Sequence, residues 1–206
     1  MSDLTTAFLT IVGAIFVAEL TDKDALLLLA LATKTNPWRV FAAGSIAFTI
    51  TSGIIVLVGS AIVVFVPIFW IKLAGGVIMI GYAFFQYATG LREEQDLARK
   101  GENLAKGQSR GALAAFATMV LALIVLDLAG DATELLTVVF VAQFENILLV
   151  FFAAVLALVA ASGVEATLGH RLARVLSAKK IRYFSIAVFL LIGSVVILST
   201  SFAIPS

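Results

Sequence analysis

Two short stretches of this chain set several acids into otherwise apolar sequence. The first is Glu19-Leu20-Thr21-Asp22-Lys23-Asp24, and the second is Asp127-Leu128-Ala129-Gly130-Asp131-Ala132-Thr133-Glu134. On helices, Glu19 and Asp22 share a face at i, i+3, while Asp127, Asp131 and Glu134 form a stripe at i, i+4, i+7. If the two stretches meet, six acids gather around one base, Lys23. Like charges in a low-dielectric site cannot all stay ionised, so protons or a metal cation must supply the missing positive charge. Cysteine is absent and His170 is the only histidine, which leaves oxygen ligands alone. Such ligands suit hard cations such as Ca²⁺, Mn²⁺ or Mg²⁺, whereas Zn²⁺ and Cu⁺ favour imidazole or thiolate. A group that holds either protons or a divalent cation has the minimum equipment to exchange one for the other.

The elements that position these acids follow from composition. Of 206 residues, 62% are apolar and 13% charged, with mean hydropathy +1.11. Soluble domains run at roughly 45–50% apolar and about 25% charged, so the expected solvent is lipid. A net charge of +1 points to no nucleic-acid partner, and the absence of cysteine excludes a disulfide framework. No basic residue precedes the first apolar run, so no cleavable signal peptide is expected. A crossing helix needs about 20 apolar residues. Six stretches qualify: Leu4–Thr33, Val40–Val66, Phe69–Ala88, Ala112–Ala142, Ile147–Leu168 and Ile181–Ala203. The first and fourth are about 30 residues long, roughly 45 Å as straight helices, and carry their acids near the middle. A tilt, kink or local unwinding is expected in both. Pro37, Pro67 and Pro205 fall at segment ends.

The expected fold is thus an all-α integral membrane protein of six transmembrane helices. It divides into a first three-helix repeat (1–90), a cytoplasmic linker (91–110) and a second three-helix repeat (111–206). The halves resemble each other. Ser52-Gly53 and Gly59 recur at an offset of 110 as Ser162-Gly163 and Gly169; Phe41, Ala43 and Ala47 recur as Phe151, Ala153 and Ala157. Asp22 recurs as Asp131 at an offset of 109. Three helices per half is an odd number, so the second repeat is inverted, an arrangement that places transporter sites at the repeat interface. The loops after helices one, three and five hold twelve basic residues; the opposite loops hold only Lys72. That asymmetry predicts a cell (inner) membrane protein with both termini extracytoplasmic.

The sequence resembles the small six-helix cation/proton exchangers that carry E-x-G-D-(K/R)-(S/T) in helices one and four. They include Golgi manganese/calcium exchangers and MneA-type bacterial manganese exporters. Glu19, Asp22 and Lys23 match the first copy of the motif; Gly130, Asp131 and Thr133 match the second. The likeness extends through Pro37-Trp38 and over essentially the whole chain. The first copy departs at Thr21 and Asp24. In the second, Ala132 replaces the basic residue and Leu128 stands at the glutamate position, with Asp127 the nearest substitute. The resemblance implies export of Mn²⁺ or Ca²⁺ in exchange for H⁺, with no prosthetic group. The expected metal ligands are Glu19, Asp22, Asp127 and Asp131. Thr21, Asp24, Thr133 and Glu134 are secondary metal or proton groups, and Lys23 balances charge. The bilayer, divalent cations and protons are the expected partners, and a homo-oligomer is compatible with the composition.

Other polar residues read more plainly. Glu165 and His170 are expected at the cytoplasmic interface of helix five, and Gln143 and Glu145 in an external loop. Thr49, Thr51, Ser52 and Ser162 suit close helix packing, with Ser52 and Ser162 also able to lend ligand oxygens. Gly75, Gly76 and Gly81 read as packing glycines. The mixed charges Arg92, Glu93, Glu94, Asp96, Arg99, Lys100, Glu102 and Lys106 suit a solvated linker. Two rival functions stand beside exchange. An intramembrane aspartyl protease would use Asp22 and Asp131 as a dyad but leaves the remaining acids unexplained. An exporter of small organic cations would use the same acids.

Overall fold

The computed structural model describes residues 2–20, 22–106, 111–129, 132–144, 146–175 and 178–201. They form eight helices: α1 (Ser2–Glu19), α2 (Lys23–Lys34), α3 (Pro37–Phe65), α4 (Ile68–Lys106), α5 (Ala112–Asp127), α6 (Ala132–Phe144), α7 (Ile147–Val175) and α8 (Ala178–Ser201). No strand occurs among the described residues.

Local chemistry sets the boundaries. The Asn36 side chain accepts the Trp38 N–H at 2.9 Å, and Pro37 occupies the first turn of α3, where its missing N–H leaves nothing unsatisfied. α3 stops at Phe65 because Val66 precedes Pro67 and is driven extended, at φ −115° and ψ 123°. Asn146 caps α7 by accepting the Leu149 N–H at 3.0 Å. Gly111, at φ 94°, turns the chain into α5 through a conformation that suits glycine.

Pro37–Phe65, Ile68–Ala88, Ile147–Thr167 and Tyr183–Thr200 are each long and apolar enough to cross a membrane. Large apolar side chains stand on the outer surface, among them Phe65 at 84% exposure and Leu113 at 82%. Such a surface suits lipid, and the chain is a multi-pass membrane protein. The two long acidic segments do not run through. α1 ends at Glu19 and α2 begins at Lys23; α5 ends at Asp127 and α6 begins at Ala132. The expected interruption is present in both.

Other boundaries differ from expectation. α4 continues as helix to Lys106, so most of the 91–110 linker is helical. It rests on α2, where a Cβ on Gly101 would lie 2.7 Å from that of Ala30. α7 runs on to Val175. Gly76 and Gly193 bring α4 and α8 into backbone contact, since a Cβ on either would stand 3.0 Å or less from the other's carbonyl oxygen. Gly81 meets nothing within 4 Å and is not a packing glycine.

The core is organised by two matching stripes. α3 buries Val40, Ala43, Gly44, Ala47, Phe48, Thr51, Ser52 and Val56. α7 buries Val150, Ala153, Ala154, Ala157, Leu158, Ala161, Ser162 and Ala166, the same positions advanced by 110. The two helices pack on each other along these faces. A Cβ on Gly53 would lie 3.7 Å from the ring of Phe151, and one on Gly163 would lie 3.4 Å from the ring of Phe41. α1 and α2 both pack on α7, while α5 and α6 both pack on α3.

Candidate functional site

The two helix breaks meet. The Asp22 N–H donates to the Glu19 carbonyl at 3.0 Å, turning the chain between α1 and α2. The Leu128 N–H donates to Ile124 at 3.0 Å and the Ala129 N–H to Leu126 at 3.1 Å as α5 ends. Glu19, Asp22, Asp127 and Thr133 are all buried, at 0%, 1%, 3% and 2% exposure. Thr133, in the first turn of α6, links the halves: its Oγ1 lies 3.1 Å from Glu19 Oε2 and 3.3 Å from Asp22 Oδ2. A hydroxyl carries one donor proton, so it satisfies only one of these carboxylates at a time. Asp22 stands just ahead of α2, where the helix N-terminus favours negative charge.

Asp22 has a second neutral donor, the Tyr82 hydroxyl of α4, 2.9 Å from Oδ1. The Tyr82 ring lies edge-on against buried Phe189, with centroids 5.4 Å apart. Tyr82 was not legible as a site residue. A lone tyrosine in an apolar run has no spacing to read, although a buried phenol in such a helix does call for a partner.

Beside Thr133 is a cavity of about 10 Å³ lined by Thr51, Ser52, Ile55, Asp127, Thr133, Glu134, Thr137 and Leu158. That is about the room a single water needs. Ser52 Oγ is buried there with no hydrogen-bond partner among the described residues. Ser162 instead donates to the Val159 carbonyl at 3.0 Å, and Thr49 is exposed. Among the described residues no three His, Asp or Glu side chains stand in one metal-holding group; Glu19 and Asp22 are joined through the Thr133 hydroxyl.

Several expectations need revision. Asp127 and Glu134 do line one cavity, but not as a stripe on one continuous helix, because α5 has ended before α6 begins. Leu128, at the position where the exchanger motif carries glutamate, is 39% exposed, while Asp127 points into the cavity. Glu165, near the end of the apolar span Ile147–Thr167, faces the protein interior. It is 2% exposed, lies within direct electrostatic reach of Asp22, and neither carboxylate oxygen has a hydrogen-bond partner among the described residues. Thr21, Asp131 and Glu145, and the side chains of Lys23, Asp24 and His170, lie outside the described residues.

With this geometry in place, comparison with known proteins adds one finding. The family model described as Divalent cation/proton antiporter GDT1 matches residues 7–94 and 112–203. No curated protein and no solved structure matches the chain.

Proposed function

The chain belongs to the divalent cation/proton antiporter family GDT1, a family of transporters and not of enzymes, and on that premise we propose that it exports Mn²⁺ or Ca²⁺ from the cytoplasm in exchange for protons. The observation that carries this reading is Thr133 of the second half touching Glu19 and Asp22 of the first. One buried site is thereby shared by both motif-bearing breaks.

In this reading α1 with α2, and α5 with α6, each make one interrupted span, giving six spans in two inverted repeats (1–90 and 111–206) joined by 91–110. The stripes of α3 and α7 and the reciprocal glycine–phenylalanine contacts support it. The basic-residue asymmetry supports a cell-membrane protein with both termini outside the cytoplasm.

The ligands would be Glu19, Asp22, Asp127 and Asp131, with Thr133, Glu134, Thr21 and Asp24 assisting and Lys23 balancing charge. Ser52 and Tyr82 join them, the first as an unused oxygen at the cavity and the second as a donor holding Asp22. Buried carboxylates without a cation are best satisfied by protons, and a ligating carboxylate must release its proton. Cation and protons therefore occupy the same oxygens in turn. A cavity of about 10 Å³ has the room of about one water or one bare metal ion.

Reconstitution into liposomes tests this. Mn²⁺ or Ca²⁺ flux should respond to an imposed pH gradient, and Mg²⁺, which dehydrates reluctantly, should move more slowly. Flux of an organic cation with no flux of any divalent ion would overturn the reading.

A further inference from the structure

The cavity beside Asp127 is walled on the α3 side by Thr51, Ser52 and Ile55. Advanced by 110, these positions are Ala161, Ser162 and Glu165 on α7. α7 packs against α1 and α2, the pair that frames the first break, as α3 packs against α5 and α6. The place held by Ile55 at the second break therefore corresponds to Glu165 at the first. Glu165 sits on the buried α7 stripe one turn beyond Ser162, whose Cβ would be 3.1 Å from one built on Gly44. Asp22 acts on it through space, and both its carboxylate oxygens are buried without hydrogen-bond partners among the described residues.

We propose that Glu165 is a cation ligand, which holds the transported divalent ion together with Asp22 in a second pocket, at the α1–α2 break. The inference rests on the antiporter reading and adds to it a carboxylate outside both motif copies. Two carboxylates buried within electrostatic reach of each other repel unless positive charge comes between them. A hard divalent ion supplies that charge and accepts the oxygens that no donor occupies. The two pockets are unlike in consequence. The pocket at the second break has the apolar Ile55 on its α3 wall, while the one at the first has an acid on its α7 wall, so the ion is held by different oxygens in each.

Binding of Mn²⁺ to the purified full chain, with thermal melts alongside, decides the matter. Glu165→Gln keeps the shape and removes the charge. It should melt no lower than wild type without cation, bind Mn²⁺ at least about tenfold more weakly, and lose the cation-dependent rise in melting temperature. Glu165→Asp should keep part of the binding. Wild-type Mn²⁺ affinity in Glu165→Gln overturns the inference and leaves the antiporter reading standing. A lower melting temperature with binding retained makes Glu165 structural and also overturns it. Should Glu165→Gln not fold, Glu165→Asp decides: weakened binding by a stable protein supports a ligand, and unchanged binding refutes one. If the wild-type chain binds neither Mn²⁺ nor Ca²⁺, the antiporter reading and the inference fall together.

Discussion

The hydroxyl of Thr133 lies 3.1 Å from the Glu19 carboxylate, joining residues 114 positions apart in the chain. One exchanger motif is thus completed by an atom from the other. The contact is polar, buried and between helix ends rather than helix faces, so its strength depends on both breaks keeping their geometry.

Thr133→Val should keep the shape at this contact and remove the bridge. A hydrogen bond to a charged group contributes about 1.5–3 kcal/mol, so apparent cation affinity should fall about tenfold or more. Thr133→Ser should restore most of it. Equal affinities for all three proteins, by Mn²⁺ titration, would remove Thr133 from the site.

Asp22→Asn and Glu19→Gln should each lower transport by roughly a hundredfold, since each deletes the charge of a proposed ligand at a buried site. Asp96→Asn, on the exposed part of the α4 extension, should do nothing measurable. Comparable losses from Asp96→Asn and Asp22→Asn, at equal protein levels in the membrane, would undo the assignment.

Much of this site was legible because membrane burial makes acids conspicuous: Glu19, Asp22 and Asp127 stood out by type alone. Thr133 stood out by its place in the motif. What failed was geometry inferred from continuous helices. The stripe expected for Asp127 and Glu134 assumed an unbroken turn, and the residues meet instead across the α5–α6 break. Glu165 lies near the end of the apolar run, and neither its type nor that position reveals that it is buried within the protein. The α3 and α7 stripes were visible in part, because small residues and serines recur at 110 where the two helices must approach closely. Tyr82 gave no pattern to read.

Helix packing offers a separate test. A Cβ on Gly76 would meet Ile197 at 2.5 Å and the Gly193 carbonyl oxygen at 3.0 Å, while one on Gly81 meets nothing. Gly76→Ala should therefore destabilise by about 1–3 kcal/mol, seen as earlier thermal unfolding in detergent. Gly81→Ala, on the same helix, should not. Equal melting temperatures would contradict the close approach of α4 and α8.

Topology can be checked without background, since the chain has no cysteine. A cysteine introduced at Gln95 should resist impermeant thiol reagents applied to intact cells and react after permeabilisation. Tags at both termini should be accessible from outside. Labelling at Gln95 in intact cells would reverse the proposed orientation.

Coupling is the central claim, and it has a direct measurement. Proteoliposomes with no initial pH gradient are given Mn²⁺ or Ca²⁺ on one side only, and cation uptake and internal pH are followed together. The account predicts that cation entering drives protons out, so the interior turns alkaline as the ion accumulates, and that Asp22→Asn abolishes both signals at once. Because ligation displaces protons, cation affinity should also fall as the pH is lowered. Cation uptake by the wild-type protein with no counterflow of protons, at an affinity independent of pH, would contradict antiport through this site.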